Sequence, residues 1–184
     1  PEPIDLFLFG TGSVGSRLLA QIGAQRARLL ERGVRLRVTG VANSKALVLD
    51  EKGIEPAQAA VRIAAERAPA ELARVLAFVA ERRPVCPVFV DCTANGELAA
   101  RYGAAMEAGL HVVTANKVAN ASSQAYWREL RTLARRKQRR FLYATNVGAG
   151  LPVIDTLQSL VASGDRVLRI EGVLSGSMSY LLGR

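Results

Sequence analysis

The chain is most constrained by an apolar segment that runs directly into a glycine-rich turn and then into a helical pattern. Residues 4–9 are almost all apolar, the turn reads Gly10-Thr11-Gly12-Ser13-Val14-Gly15, and apolar side chains then recur at helical spacing to about Glu31. Gly33 supplies a stop signal, and the alternating residues 35–42 predict a second strand. This order predicts a βαβ unit with the glycine turn between its first strand and its helix.

The glycines of this turn stand where a dinucleotide needs them. Gly10 would allow the tight turn, Gly12 would let a pyrophosphate approach the backbone, and Gly15 would let helix and strand pack closely. The first helical residues, Ser13 and Val14, would offer unpaired N–H groups and the positive end of the helix dipole to the phosphates. The alternative is a glycine-rich turn that binds nothing, but a preceding strand and a following helix favour dinucleotide binding.

Further alternations of strand and helix follow along the chain. Strands are predicted over 85–92, 110–114, 140–144 and 167–174, with helical patterns between them, and residues 46–57 are expected to be irregular. The first of these strands is nearly all apolar, as in parallel strands that are covered on both faces. The fold class is therefore predicted as α/β, with a Rossmann-like doubly wound parallel sheet.

Charge and cysteine content bear on the kind of partner and on the cellular compartment of the protein. The 184 residues carry a net charge of +9, but the densest basic cluster, residues 135–140, contains no interleaved aromatic residue and falls where a helix should end. No nucleic-acid reader motif accompanies this cluster, so a nucleic-acid partner is not predicted. The two cysteines, Cys86 and Cys92, are too few for a disulfide framework and favour a reducing, cytoplasmic location.

The sequence shows no sign of a membrane segment. No apolar run reaches the roughly 20 residues that cross a bilayer, and Pro1-Glu2-Pro3 lacks the basic region of a signal peptide. The first residue is not methionine, so we expect the chain to have been cut from a longer protein.

The residues that follow the second strand bear on the choice of cofactor. A carboxylate there would bind the ribose of NAD, whereas a nearby cation suits the 2′-phosphate of NADP. This chain has Asn43, Ser44 and Lys45 at that place, and the next carboxylate is Asp50. NADP is therefore predicted, with NAD tolerated, and the alternative for Lys45 is a solvated loop residue. A methyltransferase, which shares the glycine turn, usually needs the missing carboxylate.

Two further polar residues follow strands at the same predicted edge. Thr93 would either contact ribose or nicotinamide or cap the next helix. Lys117 would bind a polar substrate or shuttle a proton beside the nicotinamide, and the alternative is an exposed lysine at a helix start. His111, the only histidine, begins its strand away from this edge and is interpreted as structural, so no histidine triad or histidine metal site is predicted.

Five separated motifs follow one another over essentially the whole chain, at residues 10–15, 90–93, 112–117, 146–152 and 172–177. With these motifs in this order, the chain resembles homoserine dehydrogenase. The segments around Asn43 and Asn146 look most like the dehydrogenase half of bifunctional aspartokinase–homoserine dehydrogenases.

The resemblance implies an NAD(P)-dependent oxidoreductase that interconverts aspartate 4-semialdehyde and homoserine, on the route to threonine and methionine. It implies that the glycine turn binds the pyrophosphate and that Thr93 lies along the cofactor. It also implies that Lys117 is a catalytic residue near nicotinamide and substrate. Gly176 matches a glycine of a loop that closes on the cofactor, and Ser177 stands there in place of a threonine.

A cation site is also implied by the resemblance. It would hold a monovalent cation such as Na⁺ on the backbone carbonyls of Val147, Ala149 and Leu151. Ala144 stands where some family members have an acidic residue.

The resemblance further implies two domains. Residues 1–146 would form the NAD(P)-binding Rossmann domain, and residues 147–184 would begin a truncated α+β substrate and dimerisation domain. Family members continue into the rest of that domain, so the isolated chain is expected to be inactive. The full-length protein would be a homo-oligomer with an aspartokinase domain upstream. The alternative from a different class is a non-catalytic NAD(P)-binding regulatory module.

Overall fold

The glycine turn joins a strand to a helix, as the sequence predicts. A computed structural model describes residues 2–172 and Tyr180. In it, β1 spans Pro3–Phe9, α1 spans Ser13–Glu31 and β2 spans Arg35–Ala42. β1 and β2 are parallel, so the three elements form the predicted βαβ unit.

The alternation of strands and helices continues along the chain. The elements that follow are β3 Leu47–Leu49, α2 Ala59–Ala65, α3 Leu72–Arg82, β4 Cys86–Asp91, α4 Gly96–Ala99, α5 Tyr102–Glu107, β5 His111–Thr114, α6 Val118–Ser122, α7 Gln124–Arg136, β6 Phe141–Leu142 and α8 Val153–Ala162. Two short 3-10 helices cover Pro56–Gln58 and Ala144–Asn146.

The strands form one six-stranded sheet in the order β3-β2-β1-β4-β5-β6. All neighbouring pairs are parallel except β2 and β3, which are antiparallel. The strand order reverses between β1 and β4, and in sheets of this kind ligands bind outside the carboxyl ends of the strands at that point. The predicted Rossmann-like doubly wound sheet is confirmed.

A row of aromatic rings fixes α5 against the sheet. Phe9 meets Phe89, Phe89 meets Tyr102, and Tyr102 meets Phe141, with ring centroids 5.2, 6.0 and 5.9 Å apart. Phe89 and Tyr102 are fully buried, and edge-on or tilted pairs at these separations are favourable. The Tyr102 ring is therefore held firmly under the central strands.

The segment predicted to be irregular contains a strand. Within 46–57, β3 pairs with β2 so that Leu47 lies opposite Ala42 and Leu49 opposite Gly40. The strand is only three residues long, so its own sequence shows no periodicity, and its pairing with β2 decides its conformation.

Two predicted strands differ from the structure near the end of the chain. The strand predicted over 140–144 is limited to Phe141–Leu142, and residues 167–172 of the strand predicted over 167–174 form neither strand nor helix. Residues 173 and 174 lie outside the described residues. A strand needs a neighbour for its backbone groups, and nothing in the described part of the chain pairs with 167–172.

The chain divides into two compact units, Pro1–Leu142 and Tyr143–Arg184. The first contains the whole sheet, and the second contains α8 and the turn before it. The assignment of 1–146 to a cofactor domain and of 147–184 to the start of a substrate and dimerisation domain stays a prediction.

Candidate functional site

The strand register brings the ends of four strands into one row. Phe9 lies opposite both Ala42 and Asp91, and Asp91 lies opposite Thr114. The residues that follow these four positions therefore emerge together along one side of the sheet, which we call the carboxyl edge. The glycine turn, Asn43–Lys45, Thr93 and Lys117 all follow directly from this row, as the sequence predicts.

Gly10 closes the turn against two neighbouring strands. Its N–H donates to the Ala42 carbonyl at 2.9 Å, and its φ of 97° lies in the left-handed region that favours glycine. A Cβ at Gly10 would lie 2.8 Å from the carbonyl carbon and oxygen of Cys92, so a side chain has no room there. The tight turn expected from the sequence thus depends on a glycine at this position.

Gly15 and Gly12 have opposite surroundings. A Cβ at Gly15 would lie 1.7 Å from the Gly10 carbonyl oxygen, so close packing of helix on turn requires glycine. A Cβ at Gly12 would meet no heavy atom within 4 Å. Gly12 is nevertheless the N-cap residue of α1, where unpaired helix N–H groups gather. The free space beside it leaves the backbone at the start of α1 accessible.

The first turn of α1 suits an anion. It contains no acidic residue, and the Ser16 hydroxyl donates to the Gly12 carbonyl at 2.8 Å. Ser13 is exposed, and Val14 exposes 54% of its surface although it is apolar. Both predicted contact residues are thus accessible at the positive end of the helix dipole.

The loop after β2 is organised by Asn43. Its Oδ1 accepts hydrogen bonds from the N–H groups of Lys45, at 2.7 Å, and Ala46, at 2.8 Å. Ser44 and Lys45 are exposed on this turn. The side-chain oxygen of Asn43 therefore shapes the loop that presents Ser44 and Lys45.

The next carboxylate in sequence lies away from this loop. Asp50 follows the antiparallel β3, and its N–H donates to the carbonyl of Thr39, three residues before the end of β2. Its carboxylate accepts from Arg62 Nη1 at 2.7 Å, and this hydrogen bond lowers the pKa of Asp50. No carboxylate from residues 43–50 thus lies at the end of β2.

Thr93 is held by the strand end rather than used as a helix cap. Its N–H donates to Asp91 Oδ1 at 2.8 Å, and its hydroxyl oxygen accepts from the Asn95 N–H at 3.1 Å. Asn95 caps α4, because its Oδ1 accepts from the Leu98 N–H. Of the two predicted roles for Thr93, the cap therefore belongs to Asn95.

Lys117 occupies the N-cap position of α6 and is exposed. Within residues 2–172 no ion pair includes it. The preceding Asn116 is buried, and its Oδ1 accepts from the Val118 N–H at 3.0 Å. The hydrogen bond between Asn116 and Val118 thus spans Lys117 and fixes the backbone that carries its side chain.

Sequence reasoning missed a buried polar cluster behind these loops. The carboxylate of Asp91 is fully buried, and it accepts from the Tyr102 hydroxyl at 2.6 Å and from Asn116 Nδ2 at 3.1 Å. Burial, followed by the charge of Asp91, raises the pKa of Tyr102 far above its ordinary value, so the hydroxyl keeps its proton. The sequence signal for this cluster was the presence of polar residues, Asp91, Thr114 and Asn116, at the ends of two otherwise apolar strands.

The only histidine and the basic cluster lie at the other end of their strands. His111 begins β5, and its Nδ1 accepts from the Arg140 N–H at 2.9 Å. Burial, followed by the charges of the neighbouring arginines, lowers the pKa of His111. In the basic cluster, Arg136 and Lys137 pair with Glu107 at 2.8 and 2.5 Å. These groups are not brought to the carboxyl edge.

The remaining predicted site residues belong to the second unit. In that unit the Leu151 N–H donates to the Gly148 carbonyl at 2.9 Å, and the Leu151 carbonyl accepts from the Val153 N–H at 2.8 Å. Ala149 has a left-handed φ of 50°, and the turn also contains Val147. Gly176 lies outside the described residues.

Neither a metal cluster nor a membrane-spanning helix is found in the described ranges. Within residues 2–172 and Tyr180, no three His, Cys, Asp or Glu side chains are grouped so as to hold a metal ion. No helix among the same residues is both long and apolar enough to cross a membrane.

Two family models match the chain. The model for the homoserine dehydrogenase NAD-binding domain matches residues 10–144, and the model for homoserine dehydrogenase matches residues 152–184. The chain belongs to the homoserine dehydrogenase family. The first match contains the glycine turn, Thr93, Lys117 and every strand of the sheet after β1.

Curated relatives are longer proteins. The bifunctional aspartokinase/homoserine dehydrogenase of Haemophilus influenzae is 42% identical over 98% of this chain, and that of Buchnera aphidicola is 37% identical over 100%. In both cases the match covers 22% of the relative. The chain thus spans about a fifth of the length of these relatives.

Solved structures show the same fold. A protein of unknown function from Candida auris superposes with a TM-score of 0.87 at 28% identity, covering 98% of this chain and 49% of the other. A hyperthermophilic archaeal homoserine dehydrogenase in complex with NADPH superposes with a TM-score of 0.67 at 25% identity, covering 84% of this chain and 48% of the other.

Proposed function

We propose that this chain is the cofactor-binding part of a homoserine dehydrogenase, which interconverts aspartate 4-semialdehyde and homoserine with NAD(P). The observation that carries the proposal is that the family match over 10–144 includes the loops that the strand register gathers at the carboxyl edge. A glycine-rich turn without a ligand would require neither the family match nor the shared position of Thr93 and Lys117.

The glycine turn is proposed to bind the pyrophosphate. The phosphates would lie in the free space beside Gly12, against the N–H groups of Ser13, Val14 and Gly15. Gly10 would shape the turn that holds the cofactor, since the position of its missing side chain is occupied by the backbone of Cys92. Thr93 would lie along the cofactor from the β4 side of the edge.

Lys117 is proposed as the catalytic residue. A nicotinamide cofactor bound at this edge would supply the acceptor for a hydride from the alcohol carbon of homoserine and, in the reverse direction, the donor of a hydride to the aldehyde carbon of aspartate 4-semialdehyde. Lys117 would lie beside the substrate oxygen, where its positive charge favours the oxygen that bears the developing negative charge. The hydroxyl proton of homoserine would pass to solvent in the oxidation, and a proton from solvent would be taken up in the reduction.

A preference for NADP is proposed from the loop after β2. This loop exposes Ser44 and Lys45, and Asp50 is turned towards Arg62. Lys45→Ala should weaken NADPH binding about tenfold while leaving NADH binding unchanged, because one phosphate contact is lost. A titration with both cofactors tests this proposal, and an equal loss for the two would contradict it.

The first test of cofactor binding is a fluorescence titration of this chain with NADPH. Gly12→Ala should weaken binding by about tenfold or more without loss of stability, because the added methyl group enters the phosphate space. The matched control is Gly23→Ala in the same helix, where a Cβ would lie at an ordinary 3.7 Å from Pro56. Equal binding by both variants would refute the placement of the pyrophosphate.

The activity belongs to the longer protein. With the remaining dehydrogenase segment present, we expect NADP-dependent oxidation of homoserine, and Lys117→Ala should lower kcat by about a hundredfold or more. The isolated chain should bind cofactor without turnover. Cofactor binding with no turnover in the longer protein would instead favour a non-catalytic NAD(P)-binding regulatory module.

Several finer features remain part of this proposal. They are a cytoplasmic location, supported by the free thiols of Cys86 and Cys92, a homo-oligomeric full-length protein, and an aspartokinase domain upstream. The cofactor contact of Gly176 and a monovalent cation on the carbonyls of Val147, Ala149 and Leu151 are proposed from the family resemblance. A dependence of activity on Na⁺ or K⁺ would support the cation.

A further inference from the structure

One buried carboxylate links three separate segments behind the carboxyl edge. Asp91 Oδ1 accepts from the Thr93 N–H at 2.8 Å, and Asp91 Oδ2 accepts from the Tyr102 hydroxyl at 2.6 Å and from Asn116 Nδ2 at 3.1 Å. The three donors come from the loop after β4, from α5 and from the loop after β5. A buried carboxylate with three donors holds those donors in a fixed arrangement.

Two of these donors belong to loops that carry proposed functional residues. The Thr93 N–H fixes the turn in which the Thr93 hydroxyl accepts from Asn95. Asn116 Nδ2 also donates to the Asn95 carbonyl at 2.9 Å, and Asn116 Oδ1 accepts from the Val118 N–H at 3.0 Å. Lys117 lies between Asn116 and Val118, so its backbone is held by the side chain of Asn116.

The third donor, Tyr102, is linked to the Asn116 loop through Thr114. Its hydroxyl oxygen lies 2.7 Å from Thr114 Oγ1, and Thr114 Oγ1 accepts from the Asn116 N–H at 2.9 Å. The Tyr102 hydroxyl has one proton and donates it to Asp91, so the Thr114 hydroxyl is the donor in their contact. The hydrogen bonds therefore form one directed chain. The Asn116 N–H donates to Thr114, the Thr114 hydroxyl donates to Tyr102, and the Tyr102 hydroxyl donates to Asp91.

We infer that Tyr102 is a positioning residue, whose hydroxyl holds Asp91, Thr114 and Asn116 so that the Thr93 and Lys117 loops keep a fixed spacing at the carboxyl edge. This inference rests on the proposed function for its effect on turnover. Tyr102 itself is fully buried and therefore contacts neither cofactor nor substrate. The aromatic contacts of its ring with Phe89 and Phe141 persist in Tyr102→Phe, so this variant removes the hydroxyl alone.

The chain offers a matched control in Tyr126. Its hydroxyl donates to the Ala99 carbonyl at 2.8 Å and is only part-buried. A backbone hydrogen bond from Tyr102 also reaches this hydroxyl. Tyr126→Phe thus removes a nearby tyrosine hydroxyl with its hydrogen bonds, and it leaves the Tyr102 hydroxyl and the other ligands of Asp91 in place. If the removal of any tyrosine hydroxyl lowered amide protection or kcat, both variants should show the same decrease.

The first experiment measures amide hydrogen exchange by NMR in this chain. Tyr102→Phe should speed exchange at Thr93, Asn116 and Val118 by about tenfold, since each loses part of its support. The N–H groups of Gly10 and Cys92 donate to strand carbonyls and should keep their protection. Thr114→Val, a second variant, should speed exchange at Asn116 and leave Thr93 protected. Unchanged exchange at all three amides in Tyr102→Phe would overturn the inference.

The second experiment measures kinetics in the longer protein. Tyr102→Phe should lower kcat about tenfold and change the Kd for NADPH less than about threefold, because Lys117 is displaced while the glycine turn is not. Tyr126→Phe should keep both values. An equal fall of kcat in both variants, or none in Tyr102→Phe, would overturn the inference. A wild-type protein without homoserine oxidation would refute the proposed function, and the exchange experiment would still test the positioning of the loops.

Discussion

The two sides of the carboxyl edge are held in different ways. On the β1 side, the glycine turn is fixed by backbone hydrogen bonds and by the absence of side chains. On the β4 and β5 side, the loops are fixed by buried side chains that converge on Asp91. The first arrangement leaves a signature in the local sequence, and the second becomes visible only when the sheet has placed β4 beside β5.

The β1 side depends on how closely backbone segments approach. Gly10 packs against Cys92, and Gly15 packs against Gly10, so a Cβ at either position would meet main-chain atoms. Main-chain atoms cannot move aside as a flexible side chain can. The close packing of the turn on this side therefore requires the absence of side chains at Gly10 and Gly15.

The β4 and β5 side depends on satisfied hydrogen bonds. Asp91, Thr114 and Asn116 are buried polar residues at the ends of apolar strands. Each is costly to bury unless its polar atoms are paired. Because the partners come from segments up to 25 residues apart, pairing them also fixes the loops that carry Thr93 and Lys117.

The largest expected effect is that of Gly15→Ala, which breaks the β1 side. The new Cβ would lie 1.7 Å from the Gly10 carbonyl oxygen, so α1 must move away from the turn. We expect the free energy of unfolding to fall by about 3 kcal/mol and NADPH binding to be lost. Urea denaturation and the fluorescence titration check this expectation.

Controls for Gly15→Ala come from the same helix. Gly12→Ala should keep its stability and lose affinity, and Gly23→Ala should keep its affinity and gain up to about 1 kcal/mol from helix propensity. A stable Gly15→Ala variant with normal affinity would show that close backbone packing does not govern this side.

The next effect is that of Asp91→Ala, which breaks the β4 and β5 side. Three donors lose their acceptor in a buried site, so we expect a loss of about 3 kcal/mol in stability, together with weaker NADPH binding. The control is Asp5→Ala, because Asp5 is equally buried and accepts from Arg37 at 2.6 Å and from Thr39. Asp5 lies in the first half of β1, away from the carboxyl edge.

Asp5→Ala should therefore lose stability and keep its affinity for NADPH. Arg37 and Thr39 lose their partner, but neither contributes to the edge loops. Equal affinity in Asp91→Ala and Asp5→Ala, measured by titration under conditions where both are folded, would mean that the Asp91 cluster supports the core only.

The β1 side was largely predictable from the sequence. α1 and β2 have the bounds that periodicity and the Gly33 stop indicate, and Gly10 and Gly15 show the tight turn and the close packing expected of them. These signals are local: a period of 3.6 or 2 and a residue type that tolerates a left-handed φ. All of them lie within residues 4–42.

The β4 and β5 side was only partly predictable. Thr93 and Lys117 were placed at the carboxyl edge because they follow strands, but nothing in the local sequence distinguishes Tyr102 from the rest of the helical pattern that contains it. Its function depends on Asp91 and Thr114, which are 11 and 12 residues away in sequence. The strand β3 was missed for the same reason, since its pairing with β2 determines it.

The smallest expected effect concerns Cys92, which joins the two sides. Its N–H donates to the Phe9 carbonyl at 2.8 Å, and its own carbonyl packs against Gly10. Burial, with a smaller contribution from the charge of Asp91, raises the pKa of the Cys92 thiol to about 11. The unfolded chain would release this proton near its ordinary pKa of about 9, so stability should fall as the pH rises from 9 towards 11.

Alkylation by iodoacetamide, followed by mass spectrometry, measures this thiol directly because the thiolate is the reacting form. The rate at Cys92 should reach half its maximum near pH 11 in the wild-type chain and in Gly12→Ala. In Asp91→Ala the midpoint should move to lower pH, because the negative charge is lost and the packing around the thiol loosens. A midpoint near the ordinary value of about 9 in the folded wild type would show that the junction between the two sides is open to water.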